Sequence, residues 1–267
     1  MKKIGLIAGN RKFPLIVAEA AKHRGYHIVA IAIKKDTSRE IGRFADIVYW
    51  LGLDEFSRMF DIFKQEGIKQ AIMAGQISPR RLFSKEVMKS DVLRQILNGL
   101  KDKKADTIFA AIAQKLQEYG IELLSSITFV EDIMPKKGTL TRIEPDYQTK
   151  EDIYFGLETA KAIAALDIGQ TVAVKDKVVL GIEAFEGTDG LIRRCAKLSH
   201  GSMTVVKVSK PRQDLRFDIP VVGLATVKNL VKARARCLAI EAGKTLFIDK
   251  EKALTLAERK DICVVAV

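Results

Sequence analysis

Residues 4–14 read IGLIAGNRKFP. Ile4–Ala8 is a short apolar run, closed by Gly9 and Asn10. Its length suits a buried strand, and Gly9-Asn10 supplies a turn. Pro14 then stands where a proline costs a helix nothing, in the first turn, where its missing N–H has no intrahelical partner. Helical spacing continues to His23. Strand, glycine turn and helix in that order form the opening of a βαβ unit.

The pattern repeats downstream. His27–Ile33 and Ala45–Leu51 read as strands, Asp54 caps a helix to about Gln65, and Lys69–Ala74 is a strand ended by Gly75-Gln76. Helical segments follow at 80–99 and 106–118, and Glu122–Ser125 reads as a final strand. Strands alternating with helices predict a parallel sheet with right-handed crossovers over residues 1–132.

Residues 131–149, EDIMPKKGTLTRIEPDYQT, interrupt this order with two prolines, a glycine and mixed charge. Such punctuation predicts an interdomain connection, placed at 133–148. A second domain is expected over 149–267. It comprises a helix at 150–165, β runs at Thr171–Lys175 and Val178–Ala184 split by an Asp-Lys turn, and a helix from Thr188. Strands at 203–208 and Val221–Leu224, a helix at 226–236, a strand at 245–248, a helix at 250–258 and a strand at 262–266 follow. The fold class is therefore α/β, with some antiparallel pairing in the second half.

Composition narrows the function. The 267 residues suffice for two domains, and no stretch approaches the roughly 18–20 apolar residues of a membrane span. The basic N-terminus precedes an apolar run too short for a signal peptide. Cys195, Cys237 and Cys263 have neither disulfide-framework nor zinc spacing, so they read as buried residues of a reduced, cytoplasmic protein.

Net charge is +12, shared evenly: residues 1–134 carry 22 basic and 16 acidic residues, and 135–267 carry 23 and 17. With no basic block and no nucleic-acid module, the field points to anionic small molecules or lipid surfaces, not nucleic acid. With three histidines and no HExxH or GxSxG motif, zinc hydrolase and Ser-His-Asp chemistry lose support. A divalent metal would need oxygen ligands, which suits Mg²⁺ or Mn²⁺.

Four segments carry candidate chemistry. Gly5–Arg11 presents a glycine turn at a helix N-terminus, suited to phosphate, although GxGxxG is absent. Gly75-Gln76 is a similar turn after another strand, and ligands of open α/β sheets sit at the carboxyl ends of strands. Glu183–Asp189 (EAFEGTD) runs from a strand into a helix with Arg193 and Arg194 behind it. Its acids suit a metal and its helix N-terminus suits a phosphate. Lys210–Gly223 (KPRQDLRFDIPVVG) gathers charges before an apolar strand, and an extended backbone would put Asp214, Arg216 and Asp218 on one face.

These segments, in this order, resemble the LpxI-type UDP-2,3-diacylglucosamine pyrophosphatases of Gram-negative bacteria. The stretches that carry the resemblance are GLIAGN…FP, AGQIS at 74–78, KKAD at 103–106, MPKKGTL at 134–140, LDIGQTVAV at 166–174, EAFEGTD at 183–189, KPRQDLRFDIPVVG at 210–223 and EAGKTL at 241–246. Where family members carry a second small residue after the first-turn glycine, this chain has Asn10 and Arg11.

The resemblance implies a Rossmann-like parallel-sheet N-terminal domain, a mixed α/β C-terminal domain and an active site between them. It implies hydrolysis of UDP-2,3-diacylglucosamine to UMP and 2,3-diacylglucosamine 1-phosphate (lipid X) in lipid A biosynthesis, with Mg²⁺ or Mn²⁺. The family's essential aspartate falls on Asp218. Asp218, Arg216 and Lys210 are the expected catalytic residues. Gly9, Asn10, Gln76, Asp106, Gln170, Gly187, Thr188, Arg193 and Gln213 are expected to bind substrate, and Asp218, Asp189 and Glu183 to hold metal.

A diacylated substrate implies contact with an anionic inner-membrane surface. Residues 79–104, where Arg80, Arg81, Lys85 and Lys89 alternate with Leu82, Phe83, Val87 and Met88, could supply a basic amphipathic face. The expected location is cytoplasmic, peripheral at the inner membrane, and the reading admits a homodimer. Two rivals stay open: a nucleotide-dependent oxidoreductase, and a nucleotide-sugar-binding regulatory protein of the same fold without turnover.

Overall fold

The computed structural model describes residues 2–76, 90, 93–94, 99–100, 105–211, 213–216 and 218–267. The chain forms two units: Met1–Glu131 with Asp214–Asp218, and Asp132–Gln213 with Ile219–Val267.

The first unit is built on strands β1 (Lys2–Ala8), β2 (Tyr26–Ile33), β3 (Ile47–Leu51), β4 (Gln70–Ala74) and β5 (Glu122–Leu123). They pair in parallel in the order β3-β2-β1-β4-β5. The inner strands are apolar on both faces because helices cover both, the mark of a parallel sheet. On one face Ile7, Val29, Ile31 and Met73 pack with Met59, Phe60 and Phe63 of α2 (Arg58–Gln65) and with Ile108, Ile112 and Leu116 of α3 (Ala105–Glu118). On the other, Ile4, Leu6, Ile28 and Ile72 meet Val17, Ala18 and Ala21 of α1 (Phe13–His23), with Phe129 beside them. Each large apolar side chain so buried contributes about 1.5–3 kcal/mol.

Helix α2 starts later than Asp54 predicts. Ser57 is its N-cap position and makes no side-chain capping bond. Glu55, not Asp54, organises the approach: it accepts the Gly52 N–H at 3.1 Å and pairs with Lys34 and Arg58 at 2.8 and 2.7 Å. The bond from Lys34 leads in holding its carboxyl down to about 2. The helix expected at 80–99 and the basic face at 79–104 lie largely outside the described residues.

The second unit has a six-stranded mixed sheet in the order β6-β13-β11-β9-β7-β8. Its strands are β6 (Gly138–Thr139), β7 (Thr171–Lys175), β8 (Val178–Ile182), β9 (Thr204–Lys207), β11 (Cys237–Ile240) and β13 (Cys263–Ala266). β9, β11 and β13 run parallel, while β7 is antiparallel to β8 and β9. A separate parallel pair joins β10 (Val221–Gly223) to β12 (Leu246–Ile248).

Helix α4 (Tyr147–Ala165) covers one sheet face through Ile153, Ala160, Ile163 and Ala164. The other face packs on α5 (Gly187–Ser199), α6 (Leu224–Lys232) and α7 (Lys250–Glu258), through Leu191, Leu230 and Ala253 among others. Residues 133–148 belong to this unit: β6 pairs with β13, Leu140 donates to Val264 O at 2.8 Å, and Asp146 caps α4 by accepting the Thr149 N–H at 2.8 Å.

The Asp176-Lys177 turn joins β7 to β8 with both residues at positive φ, 52° and 58°. That is the backbone a two-residue hairpin loop of this twist needs. Buried Asp152 on α4 accepts both turn amides, at 3.2 and 2.8 Å.

Candidate active site

In the first unit the strand order reverses between β1 and β4, so the crevice at their carboxyl ends is the place where such sheets bind ligands. The two glycine turns meet there backbone to backbone. The Gly9 N–H donates to Ala74 O and the Asn10 N–H to Gln76 O, both at 2.8 Å. A Cβ on Gly9 would stand 2.6 Å from Gln76 O, and Gly75, at φ +81°, would push one to 2.9 Å from Pro14. Only glycine allows this approach. Asn10 Oδ1 is buried without a hydrogen-bond partner among the described residues, and Gln76 is exposed. Arg11, at φ 66°, turns the chain toward α1 and is exposed.

The 214–218 segment is part of this unit. It is a turn, not the extended strand whose alternation would align Asp214, Arg216 and Asp218: the Asp218 N–H donates to Asp214 O at 3.0 Å. Two neighbouring residues hold it. The Ser126 N–H donates to Leu215 O at 2.7 Å, and Ser125 Oγ lies 3.3 Å from the same carbonyl. Ser126 Oγ reaches Arg216 O at 2.8 Å and Met73 O, near the end of β4, at 2.7 Å.

Within the turn Arg216 forks onto Asp214, with Nε at 3.0 Å from Oδ1 and Nη2 at 2.7 Å from Oδ2. This bond lowers the Asp214 carboxyl below, and raises the Arg216 guanidinium above, their ordinary values. Arg216, expected to face phosphate, is thus engaged by Asp214. Asp106 lies in the first turn of α3.

In the second unit a buried polar cluster forms where β8 passes into α5. Thr188 Oγ1 donates to Glu183 Oε1 at 3.0 Å, and Lys207 Nζ donates to Thr188 Oγ1 at 2.7 Å. Lys207 Nζ also lies 3.4 Å from Thr171 Oγ1 and 3.8 Å from Glu183 Oε2, with the two charged side chains 8% and 12% exposed. Glu183 Oε2 and Asp189 Oδ1 are buried without a hydrogen-bond partner among the described residues. Gly187, at φ +74°, starts the helix. Gln170, beside Thr171, accepts the Val208 N–H at 2.9 Å through its carbonyl. Arg193 is exposed on α5.

Lys210, expected to neutralise phosphate, pairs with Asp167 at 2.8 Å. Gln213 Oε1 accepts the Lys210 N–H at 2.8 Å. Next to these, Glu241 takes Lys161, Lys244 and both the amide and the hydroxyl of Ser209. Burial pushes the Glu241 carboxyl up, but these bonds outweigh it and hold it at about 2.

Sequence reasoning missed Lys207 and Ser126. Lys207 carried a signal: a single cation inside the apolar run Met203–Val208 must be buried if that run is a central strand. Ser126 carried none, since its partners lie 53 and 90 residues away.

Candidate side chains therefore gather at the switch point of a parallel-sheet unit and beside a helix N-terminus in a mixed-sheet unit, which defines a two-unit α/β protein. A model of the LpxI N-terminal domain matches residues 3–133, and one of the LpxI C-terminal domain matches residues 136–265. The chain belongs to the LpxI family. A UDP-2,3-diacylglucosamine pyrophosphatase LpxI of Caulobacter vibrioides is 28% identical over 280 residues, covering 100% of this chain and 98% of the relative.

Likeness to solved structures is remote. A UDP-glucose 4-epimerase of Thermotoga maritima with UDP-glucose is 14% identical at a TM-score of 0.29, over 45% of this chain and 35% of that one. A biotin carboxylase domain of a thermophilic 2-oxoglutarate carboxylase bound to bicarbonate is 17% identical at 0.29, over 74% and 39%. The chain thus spans little more than a third of either solved chain.

Proposed function

We propose that the chain hydrolyses the pyrophosphate bond of UDP-2,3-diacylglucosamine, giving UMP and 2,3-diacylglucosamine 1-phosphate (lipid X) in lipid A biosynthesis. The end-to-end likeness to the Caulobacter relative carries this reading. One water is consumed. Its oxygen bonds to the phosphorus nearer the sugar, the bond from that phosphorus to the bridging oxygen breaks, and UMP leaves with the bridging oxygen.

Asp218 accepts a hydrogen bond from the attacking water and orients it. Gly9, Asn10 and Gln76 offer amides and polar side chains to the substrate at the first unit's switch point. In the second unit Thr188 and Lys207 hold the Glu183 carboxylate in place, and Gly187 opens the positive end of α5 toward negative charge.

Mg²⁺ or Mn²⁺ suits the second cluster, because Glu183 Oε2 and Asp189 Oδ1 are buried carboxylate oxygens without hydrogen-bond partners among the described residues. Mg²⁺ is commonly held by one or two carboxylates with water and phosphate completing its shell. Among the described residues there is no cluster of three or more acidic, His or Cys side chains that could hold a metal. Glu183 and Asp189 would hold the ion, and its charge would offset that of the phosphates.

The acylated substrate brings the protein to an anionic inner-membrane surface from the cytoplasm. Among the described residues no helix is long and apolar enough to cross a membrane. Flotation with anionic vesicles tests this association, and its absence counts against the peripheral reading.

The decisive experiment is UMP release from UDP-2,3-diacylglucosamine with Mg²⁺ or Mn²⁺, comparing the native chain with Asp218→Ala. Metal-dependent release, lost in a folded variant, supports reaction and residue together. No release with either metal overturns the enzyme reading, and equal release from both proteins removes Asp218 from it.

A further inference from the structure

We infer that Ser126 is a positioning residue for this reaction, its amide and hydroxyl fixing the turn that carries Asp218 against the carboxyl end of β4. The inference rests on the proposed role of Asp218.

The geometry begins at the edge of the parallel sheet. β5 pairs with β4 only through Gln70↔Glu122 and Ala71↔Leu123. The chain then continues along β4, the Leu124 N–H donating to Ala71 O at 2.9 Å. Alternate carbonyls of a strand point to the same side, so Met73 O is the next acceptor on that edge. Among the described residues no backbone amide from the β5 side reaches it. Ser126 Oγ does, at 2.7 Å, from a side chain only 2% exposed.

The same oxygen stands 2.8 Å from Arg216 O, and the Ser126 N–H holds Leu215 O at 2.7 Å. Two successive carbonyls of the Asp218 turn are therefore tied to one residue, and that residue is tied to the strand that ends in Gly75-Gln76. A hydroxyl has one hydrogen, so the proton is shared between the two carbonyls or alternates between them. Either way it stands between the two carbonyl oxygens, Met73 O and Arg216 O. The turn's internal bond, Asp218 N–H to Asp214 O, then sets Asp218 two residues beyond the anchored Arg216.

Ser126→Ala removes the hydroxyl and keeps the amide. Turnover depends steeply on placement, an ångström of displacement costing up to about 100-fold. The expected result is a fall in kcat on the order of 10-fold, KM for UDP-2,3-diacylglucosamine within about twofold, and faster amide exchange confined to residues 214–218. Ser126→Thr, which restores a hydroxyl, is expected to recover most of the lost turnover.

A folded Ser126→Ala protein with native kcat and native exchange at 214–218 would overturn the inference. So would a loss that threonine fails to recover in a folded protein. If Ser126→Ala does not fold, the half-buried Ser125→Ala, which loosens Leu215 O, the neighbouring carbonyl of the same turn that the Ser126 amide holds, takes its place. A smaller fall in kcat with faster exchange at 214–218 is then expected, and unchanged values of both would overturn the inference. Asp218→Asn separates the two levels. If it turns over normally, the catalytic reading fails and this inference with it. If it is inactive beside a native-like Ser126→Ala, only the inference fails.

Discussion

Lys207 Nζ donates to Thr188 Oγ1 at 2.7 Å, and that hydroxyl in turn donates to Glu183 Oε1 at 3.0 Å. The order of donors has a single sense: an ammonium has only hydrogens to give and a carboxylate only lone pairs. Thr188 is thereby fixed as the relay, and the second oxygen of Glu183 takes no hydrogen bond among the described residues, with the Lys207 ammonium 3.8 Å away.

Lys207→Met should break this chain at its start. It leaves a buried carboxylate facing an apolar side chain, a loss of about 3 kcal/mol in stability. UMP release by the folded fraction should fall at least about tenfold as Glu183 loses its orientation. Urea unfolding and UMP release, measured on the same preparation, check both. A folded variant with native turnover would detach this cluster from the reaction.

Gly9→Ala should separate the two switch-point turns. The new methyl carbon would sit 2.6 Å from Gln76 O, closer than real contacts allow, so Gln76 or the first turn must move. KM for the substrate is expected to rise several-fold with the melting temperature lowered by a few degrees, read from steady-state kinetics and thermal unfolding.

Glu241 gives the second unit an acid limit. Its folded pKa, about 2, lies below the usual 4.5, so its contribution to stability is complete above pH 4.5 and is lost as pH falls toward 2. Glu241→Gln should therefore be less stable than native at pH 6, with the gap closing across that window. Denaturant midpoints of both proteins between pH 6 and pH 2 measure it, and a constant gap would contradict the assignment.

Asp152→Ala should destabilise without touching the reaction. It strips the two amides of the hairpin turn, of Asp176 and Lys177, of their charged common acceptor, at a cost of about 1–3 kcal/mol. Turnover per folded molecule is expected to stay within about twofold of native. The measurement is active-site-normalised UMP release beside a denaturation curve.

The reach of the sequence varies from residue to residue. Ile4–Ala8, the glycine turn and Pro14 were legible because strand period, turn chemistry and helix entry are local. The Asp176-Lys177 hairpin was legible for the same reason. Asp54 was misread as a cap because Lys34, just past the end of β2, pairs with Glu55. The 210–223 segment revealed its charges but not its shape. Asp218 bends back to Asp214, and Ser126 holds the bend from 90 residues upstream, which no alternation pattern encodes. Arg216 and Lys210 were read as phosphate partners because a sequence shows charge but not the nearby acids, Asp214 and Asp167, that take it up. Lys207 was passed over although its strand context marked it.

Because Asp214–Asp218 complete the unit that Met1–Glu131 begin, that unit cannot mature in the order in which it is made. A ribosome that has finished its five strands must still deliver more than eighty further residues before Leu215 and Arg216 emerge to meet Ser126. Domains commonly fold from the N-terminus as they are synthesised. Here the first-made unit waits on a late piece of chain. A nascent or truncated product ending near residue 131 would carry the five strands of the sheet but lack the Asp214–Asp218 turn that Ser126 holds.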